Sequence, residues 1–391
     1  MRPRLYSILS LNLIGIVLVA LLWHILATGL VLDAAGLHVT NGQDFLNFWG
    51  APQIAAHDIH TLFAGRGYEL ALHRLYDGEF AQLRWSYPLH SLFFYEPFAA
   101  LPYLPALALW TLSGLLVYLA VSRTALPARD RNLWLALLLF SPVALIELLT
   151  RQNGFFIGAA SLAVLLLLDR KRPVTAGVLL GCLTIKPQLF ILWPLMLLVT
   201  REWRCIFAAA LTTLALVALS LVVHGPDAWA DYVTFLTQKQ WQLLSAEEFN
   251  ETRKLYHLMM PGVTPALRIL NWPDGIVVAA QLMVSLGVTV GTVLAFRRPL
   301  TLTQRVLILG SASLLVSPYS FNYDMTLLTT GLVMFWAERT RLSVYDRVLT
   351  GFVYLLPLLV YVFNVTDMPI APLFLALLFV RSLHDAHRPV T

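Results

Sequence analysis

Twelve apolar runs dominate this chain, at 5–30, 87–101, 105–122, 132–150, 154–168, 174–200, 204–223, 276–296, 305–320, 324–338, 345–363 and 371–383. Charge is sparse within them and concentrated in the short stretches between. A hydrocarbon core about 30 Å thick selects this pattern, because about 20 apolar residues of helix cross it with every backbone polar group bonded internally. The chain is therefore expected to be all-α and polytopic. It should form a single membrane-embedded domain over 1–391, a bundle of about 12 transmembrane helices, some of them broken or short, with external loops at 31–86 and 224–275. The first run is longer than a signal-peptide core and is followed by no clear cleavage site beyond Ala34-Ala35, so it is expected to remain as the first helix. Composition agrees, with 58% of residues hydrophobic and 13% charged and a mean hydropathy of +0.72, against about 45–50% and about 25% in soluble domains.

The formal charge of +5 is distributed as a topology signal, not as a nucleic-acid surface. Arg2 and Arg4, Arg170 to Arg172, Arg201 to Arg204, Arg297 with Arg298 and Arg305, Arg339 with Arg341 and Arg347, and Arg381 with Arg388 all sit beside apolar runs. The segment 31–86 carries six acids against three arginines, and 224–275 carries six acids against four bases. The positive-inside rule places the N-terminus and the basic turns in the cytoplasm and these two acidic segments outside. Parity turns on two places. If 174–200, interrupted by Lys186-Pro187, is a hairpin and the proline-rich 87–101 enters and leaves by one side, every basic turn is cytoplasmic; if each is a single crossing, the Arg129–Arg131 and Arg170–Arg172 turns face out.

Ionisable and amide side chains inside apolar spans are costly and are read first as functional. Glu96, Glu147, the Arg151-Gln152-Asn153 run, Lys186 with Gln188, and Asn322-Tyr323-Asp324 form such a set. Each has a plainer reading: Glu147 and Arg151 are four apart and could pair along one helix, and Lys186 could snorkel to the interface. Together they could surround one hydrophilic cavity. Asp44 opens a Phe- and Trp-rich stretch that suits an amphipathic helix on the outer surface, where it could serve merely as an N-cap. His57, His60 and His73 are accompanied by no ligand cluster at a recognisable spacing, so no metal is expected. Cys182 and Cys205 lie in or beside apolar spans as small hydrophobes. Gly177 and Gly181, four apart, suit close helix packing.

The order of motifs resembles a known family. An acidic residue follows the first run, here Asp44; Tyr87-Pro88 opens a segment leading to Pro97 through Pro102 and then Leu109-Trp110; Gln152-Asn153-Gly154 precedes a short helix. Gly177 to Gln188 ends in Lys-Pro-Gln, a basic-aromatic turn runs from Arg201 to Arg204, and Ser317-Pro318 leads to Tyr323-Asp324. This resembles the GT-C class of membrane glycosyltransferases and, within it, glycosyltransferase family 87, the DUF2029 group that includes polyprenol-phosphate-mannose-dependent α-mannosyltransferases. The resemblance covers residues 1 to about 340. It implies an enzyme of the inner (plasma) membrane with its active site on the periplasmic face and no cofactor. The enzyme would move a hexose from a polyprenyl-phosphate donor to a lipid- or glycan-linked acceptor with inversion, among membrane lipids and without nucleic acid. Asp44 would be the general base. Lys186 is the first candidate to meet the leaving phosphate, with Arg151, Gln152 and Tyr87 behind it, and Gln188, Asn153, Tyr323 and Asp324 complete the substrate-binding set. Two stretches depart from the pattern, Gln238 to Gln242 and the His-Leu-Met-Met after Tyr256. The competing reading of the residues is a transporter or lipid-linked sugar flippase, which also uses broken helices and midplane polar groups.

Overall fold

A computed structural model describes residues 43–76, 83–244 and 255–386, and no strand occurs among them. The apolar run 5–30 lies outside the described residues. The chain first forms α1 (Gln43–His57) and α2 (Arg66–Leu75), then α3 (Leu92–Ala99) and the long α4 (Tyr103–Ala125). Next come α5 (Arg131–Leu139), α6 (Pro142–Thr150), α7 (Gly154–Asp169), α8 (Pro173–Cys182) and α9 (Trp193–Val199). The remaining helices are α10 (Trp203–Leu244), α11 (Leu255–Leu258), α12 (Val263–Ile269), α13 (Asp274–Phe296), α14 (Leu302–Val316), α15 (Thr326–Glu338), α16 (Val344–Val365) and α17 (Ala371–Ala386).

Four of these helices, α4, α10, α13 and α16, are long and apolar enough to cross a bilayer, and α5 with α6 makes a fifth if the pair is one span bent by 45°. The expected count of about 12 is therefore not reached among the described residues. The bend has a local cause. Ser141 caps α6 by accepting from the Ala144 amide at 3.3 Å, and Pro142 takes the first helical position, where no N–H is needed. Several runs that read as crossings in the sequence are short helices buried on nearly all sides. The 16 residues of α7 rise about 24 Å, and 11 of the 13 residues of α15 are buried. These helices are apolar all round because they fill the middle of the bundle. The lipid-facing surface lies elsewhere: Leu104, Leu112 and Leu116 on α4, Phe207, Leu211 and Leu214 on α10, and Leu282, Met283 and Leu286 on α13 are all exposed. This is a membrane protein.

Close backbone approach joins α8 to α10. A Cβ on Gly177 would sit 2.7 Å from that of Ala208, and one on Gly181 would sit 2.6 Å from that of Thr212. The pair packs as its spacing suggests. Beyond the membrane run, α10 kinks at His224-Gly225-Pro226, where Gly225 takes φ 82°, a conformation with no Cβ penalty for glycine.

One end of the bundle is laced by ion pairs. Arg381 binds Asp346 and Asp385, Arg339 binds Asp385, and Arg305 binds Asp169. These residues belong to the C-terminal ends of α7, α15 and α17 and the N-terminal ends of α14 and α16. The opposite ends of α7 and α15 begin at Asn153 and at the 3-10 turn Asn322–Met325. A second buried cluster covers those ends, built from α1, α2, Trp85, Leu89, Tyr95 and Trp110. Here the sequence-based picture of α1 needs correction. It does not lie on a membrane surface as an amphipathic helix, because Phe45 through Gly50 are consecutively buried. Phe48 stacks on Tyr95 with centroids 4.6 Å apart and also meets Trp110, so aromatic packing within the protein holds the helix.

Candidate functional site

Between these two clusters the chain turns from α6 into α7, and the turn is built from polar residues. Arg151 ends α6 in the left-handed region at φ 58°, its N–H donating to the Glu147 carbonyl at 2.8 Å. The Trp110 indole donates to the Arg151 and Gln152 carbonyls at 3.0 and 3.2 Å, so α4 fixes the turn from the side. Glu147 Oε1 accepts from the Gly154 amide at 3.0 Å, and any Cβ at 154 would collide with that oxygen and with the Tyr323 carbonyl. Glycine is required there by close approach. Glu147 and Arg151 do not form the intrahelical ion pair that their spacing allows. The left-handed backbone at Arg151 carries its side chain off the helical register, and Glu147 is used by the turn instead.

From this turn a hydrogen-bonded chain connects most of the residues singled out from the sequence. Gln152 hydrogen-bonds the Asp44 carboxyl. Gln152 Oε1 accepts from the Tyr87 hydroxyl at 3.2 Å and from the Asn153 amide at 3.2 Å, which leaves its NH2 as the donor to Asp44. Asn153 donates through Nδ2 to the Tyr95 hydroxyl at 3.3 Å and accepts through Oδ1 from Lys186 Nζ at 3.1 Å. Lys186 donates to Asp324 Oδ1 at 2.5 Å and lies over the Tyr323 ring, 4.8 Å from its centroid. Asp324 Oδ2 in turn accepts from the Phe321 amide at 3.0 Å.

Lys186 therefore does not project as a free cation. It is 2% exposed, sits on the break between the 3-10 turns Leu183–Ile185 and Pro187–Leu189, and is already committed to a carboxylate, an amide and a ring. Buried charges persist when paired and fully hydrogen-bonded, and this pair is. Tyr323 and Asp324 are likewise committed to Lys186 and do not line an open space. Gln188 is half-buried and takes no part in the hydrogen-bonded chain, and Glu96 is exposed. Two participants escape the sequence reading, Tyr95 and His90. Both follow Tyr87-Pro88 within a Tyr- and Phe-rich stretch, whose composition reads as core packing. His90 is buried, stacks on Trp229 and lies with Nε2 3.2 Å from Thr184 Oγ1, tying the 85–91 segment to the Lys186 turn.

Asp44 differs from the other carboxyls. It lies in the first turn of α1, partly exposed, while the residues that follow it are buried. Burial pushes its carboxyl up from the ordinary 3.8 to about 6; the Gln152 hydrogen bond and the Lys186 charge act the other way and do not offset it. The carboxyl is thus ionised at neutral pH and basic enough to take a proton. Gln152 also lines a shallow recess with room for little more than a water molecule, together with Trp110, Thr111, Gly114, Glu147, Arg151, Phe155 and Phe156. Among the described residues no group of three His, Cys, Asp or Glu side chains could hold a metal ion. A carboxylate of raised proton affinity on a partly exposed residue suits general-base chemistry.

The family model for glycosyltransferase family 87 matches residues 85–318, more than half of the chain. The chain belongs to glycosyltransferase family 87. It is therefore a membrane glycosyltransferase, acting on a sugar donor and an acceptor. The match spans Tyr87, the Gln152-Asn153-Gly154 turn and Lys186; Asp44, Tyr323 and Asp324 fall outside it. No curated protein and no solved structure matches this family-87 chain.

Proposed function

We propose that this enzyme transfers a hexose from a polyprenyl-phosphate donor to a lipid- or glycan-linked acceptor, with Asp44 as general base. The observation that carries the reading is Asp44 itself: a partly exposed carboxyl held by Gln152, with its proton affinity raised to about 6. In the reaction the acceptor O–H gives its proton to Asp44 as its oxygen forms the bond to the anomeric carbon. The bond from that carbon to the donor phosphate oxygen breaks, and the lipid phosphate leaves with the electron pair. Attack opposite the leaving group inverts the anomeric configuration. Gln152 orients the base, and the Asn153–Lys186–Asp324 series holds the Gln152 turn in place. Lys186, Asn153, Tyr87, Tyr323 and Asp324 thus serve the substrate site mainly by shaping it.

The orientation follows from charge. The candidate site lies at the ends of α7 and α15 away from the ion-paired, arginine-rich rim, and positive-inside bias assigns that rim to the cytoplasm. The reaction would then run on the outer face of the inner membrane, in one membrane-embedded domain with its outer segments packed over the site. Transfer from polyprenyl-phosphate hexoses to a lipid extract of the host, assayed with wild type and Asp44→Asn, tests the reading. Loss of transfer of 10²-fold or more in a folded Asp44→Asn enzyme supports it, within the roughly 10²–10⁴-fold range of general-base catalysis. An equally active variant refutes it.

A further inference from the structure

The His-Leu-Met-Met stretch after Tyr256, which departs from the family pattern, is fastened to the site end of the bundle. We infer that Asn364, near the end of α16, is a positioning residue for sugar transfer. It holds the backbone of 258–260 on the Asn322–Met325 turn and so keeps Asp324 on Lys186. This rests on the reading of the chain as a transferase with Asp44 as base.

Asn364 is 1% exposed, and its Nδ2 donates to the Leu258 carbonyl at 3.0 Å and to the Met260 carbonyl at 3.1 Å. The Met259 carbonyl between them accepts from the Asn322 amide at 2.9 Å. Three consecutive carbonyls of an outer segment are thus engaged by the bundle, as irregular backbone requires when it is buried. Asn322 is itself fixed, because its Nδ2 donates to the Pro357 carbonyl at 2.7 Å. Pro357 and Asn364 lie two turns apart on one face of α16, so a single helix face holds both the outer segment and the turn. Side chains close the same contact. Met259 and Phe321 pack against Ile146, Tyr323 and Leu358, and His257 and Met260 are buried. The turn so held carries Asp324, which takes Lys186 on Oδ1, and Lys186 reaches Asn153 and the Gln152 turn beyond it. A chain of direct contacts therefore runs from Asn364 to the group that orients Asp44. Leucine has the shape of asparagine and no donor, so Asn364→Leu leaves the Met260 carbonyl buried and unpaired and should release the segment.

Hydrogen exchange on the full-length protein in detergent tests the clamp, and the pH dependence of transfer tests its purpose. In wild type the Asn322 amide should be among the slowly exchanging ones. In Asn364→Leu it should exchange about tenfold faster, with exchange in α13 unchanged. Fast exchange at Asn322 in wild type, or wild-type exchange there in Asn364→Leu, overturns the inference. The kinetic readout separates positioning from stability alone. Lys186 lowers the proton affinity of Asp44, and Asp324 offsets the Lys186 charge. Loosening Asp324 strengthens the effect of Lys186, so the midpoint of the rate profile, near 6 in wild type, should move to lower pH in Asn364→Leu. Glu147, Tyr87 and Tyr323 also act on Asp44, and none of them is bonded to Asn364. A lower rate with an unmoved midpoint would make Asn364 a purely structural residue and overturn the positioning role. Asp44→Asn distinguishes that failure from failure of the base assignment, since it should keep wild-type exchange at Asn322 whatever its rate of transfer.

Discussion

Asp44 carries a cost that its proposed role explains. Its proton is held more tightly in the folded protein than in the unfolded chain, with affinity raised from 3.8 to about 6. Well below pH 3.8 the group is protonated in both states and contributes nothing; as pH rises from 3.8 through 6 the unfolded chain ionises before the folded one, and stability is lost until the folded state ionises its partly buried carboxyl as well. Asp44→Asn is therefore expected to melt higher than wild type at pH 8, by about 1–2 kcal/mol of stability, with most of the difference gone at pH 4. Melting curves across that range check the sign, and a variant less stable at pH 8 would remove burial as the cause. In the proposed mechanism the same group sets the rate profile. Transfer should fall about tenfold per unit below an apparent pKa near 6, because the protonated base cannot accept the acceptor's proton. The Lys186–Asp324 pair makes the opposite kind of prediction. Lys186→Met leaves a buried carboxylate alone and should cost about 3–5 kcal/mol, whereas Lys186→Met with Asp324→Asn should recover most of it, since Asn still accepts from the Phe321 amide. Equal melting temperatures for the single and double variants would show that the pair is not coupled.

At the scale of elements, the α6–α7 turn is the piece on which the site depends. Gly154→Ala pushes a methyl into Glu147 and the Tyr323 carbonyl, and an overpacking cost of about 1–3 kcal/mol is expected. Transfer should fall with it, because the turn carries Gln152 and hence the orientation of Asp44; a fully active Gly154→Ala enzyme would detach the turn from function. The polar residues around this turn stand out in the amino-acid sequence because the bilayer makes them expensive, so Gln152, Asn153, Lys186 and Asp324 are legible there as a set. Their pairing is not. That Lys186 is neutralised by a carboxylate 138 positions away depends on how α15 meets the break after α8, which no local pattern encodes. Local pattern also misleads at α1: a Phe- and Trp-rich helix after a span reads as a surface helix, and only the aromatic partners Tyr95 and Trp110 show it to be core. Gly177 and Gly181 are the reverse case, a spacing whose packing consequence is fully local.

For the whole molecule, composition settles the class and leaves the count of crossings unsettled, because a helix apolar on all sides is the same string whether lipid or protein surrounds it. The short helices α7, α14 and α15 are of the second kind. Placement of the site end outside and the ion-paired rim inside predicts labelling: in spheroplasts, a cysteine replacing exposed His57 should react with a membrane-impermeant maleimide, and one replacing exposed Arg341 should react only after permeabilisation. The reverse pattern would invert the topology and place the chemistry in the cytoplasm. The central claim, that this family-87 enzyme uses Asp44 to deprotonate the acceptor, is tested most directly by purified Asp44→Asn in the transfer assay with polyprenyl-phosphate hexoses. Asparagine keeps the shape and can still pair with Gln152 but cannot take a proton at neutral pH. A folded variant that has lost 10²-fold or more of its transfer rate, within the roughly 10²–10⁴-fold reach of a general base, is the predicted result. A variant that transfers sugar at the wild-type rate would contradict it.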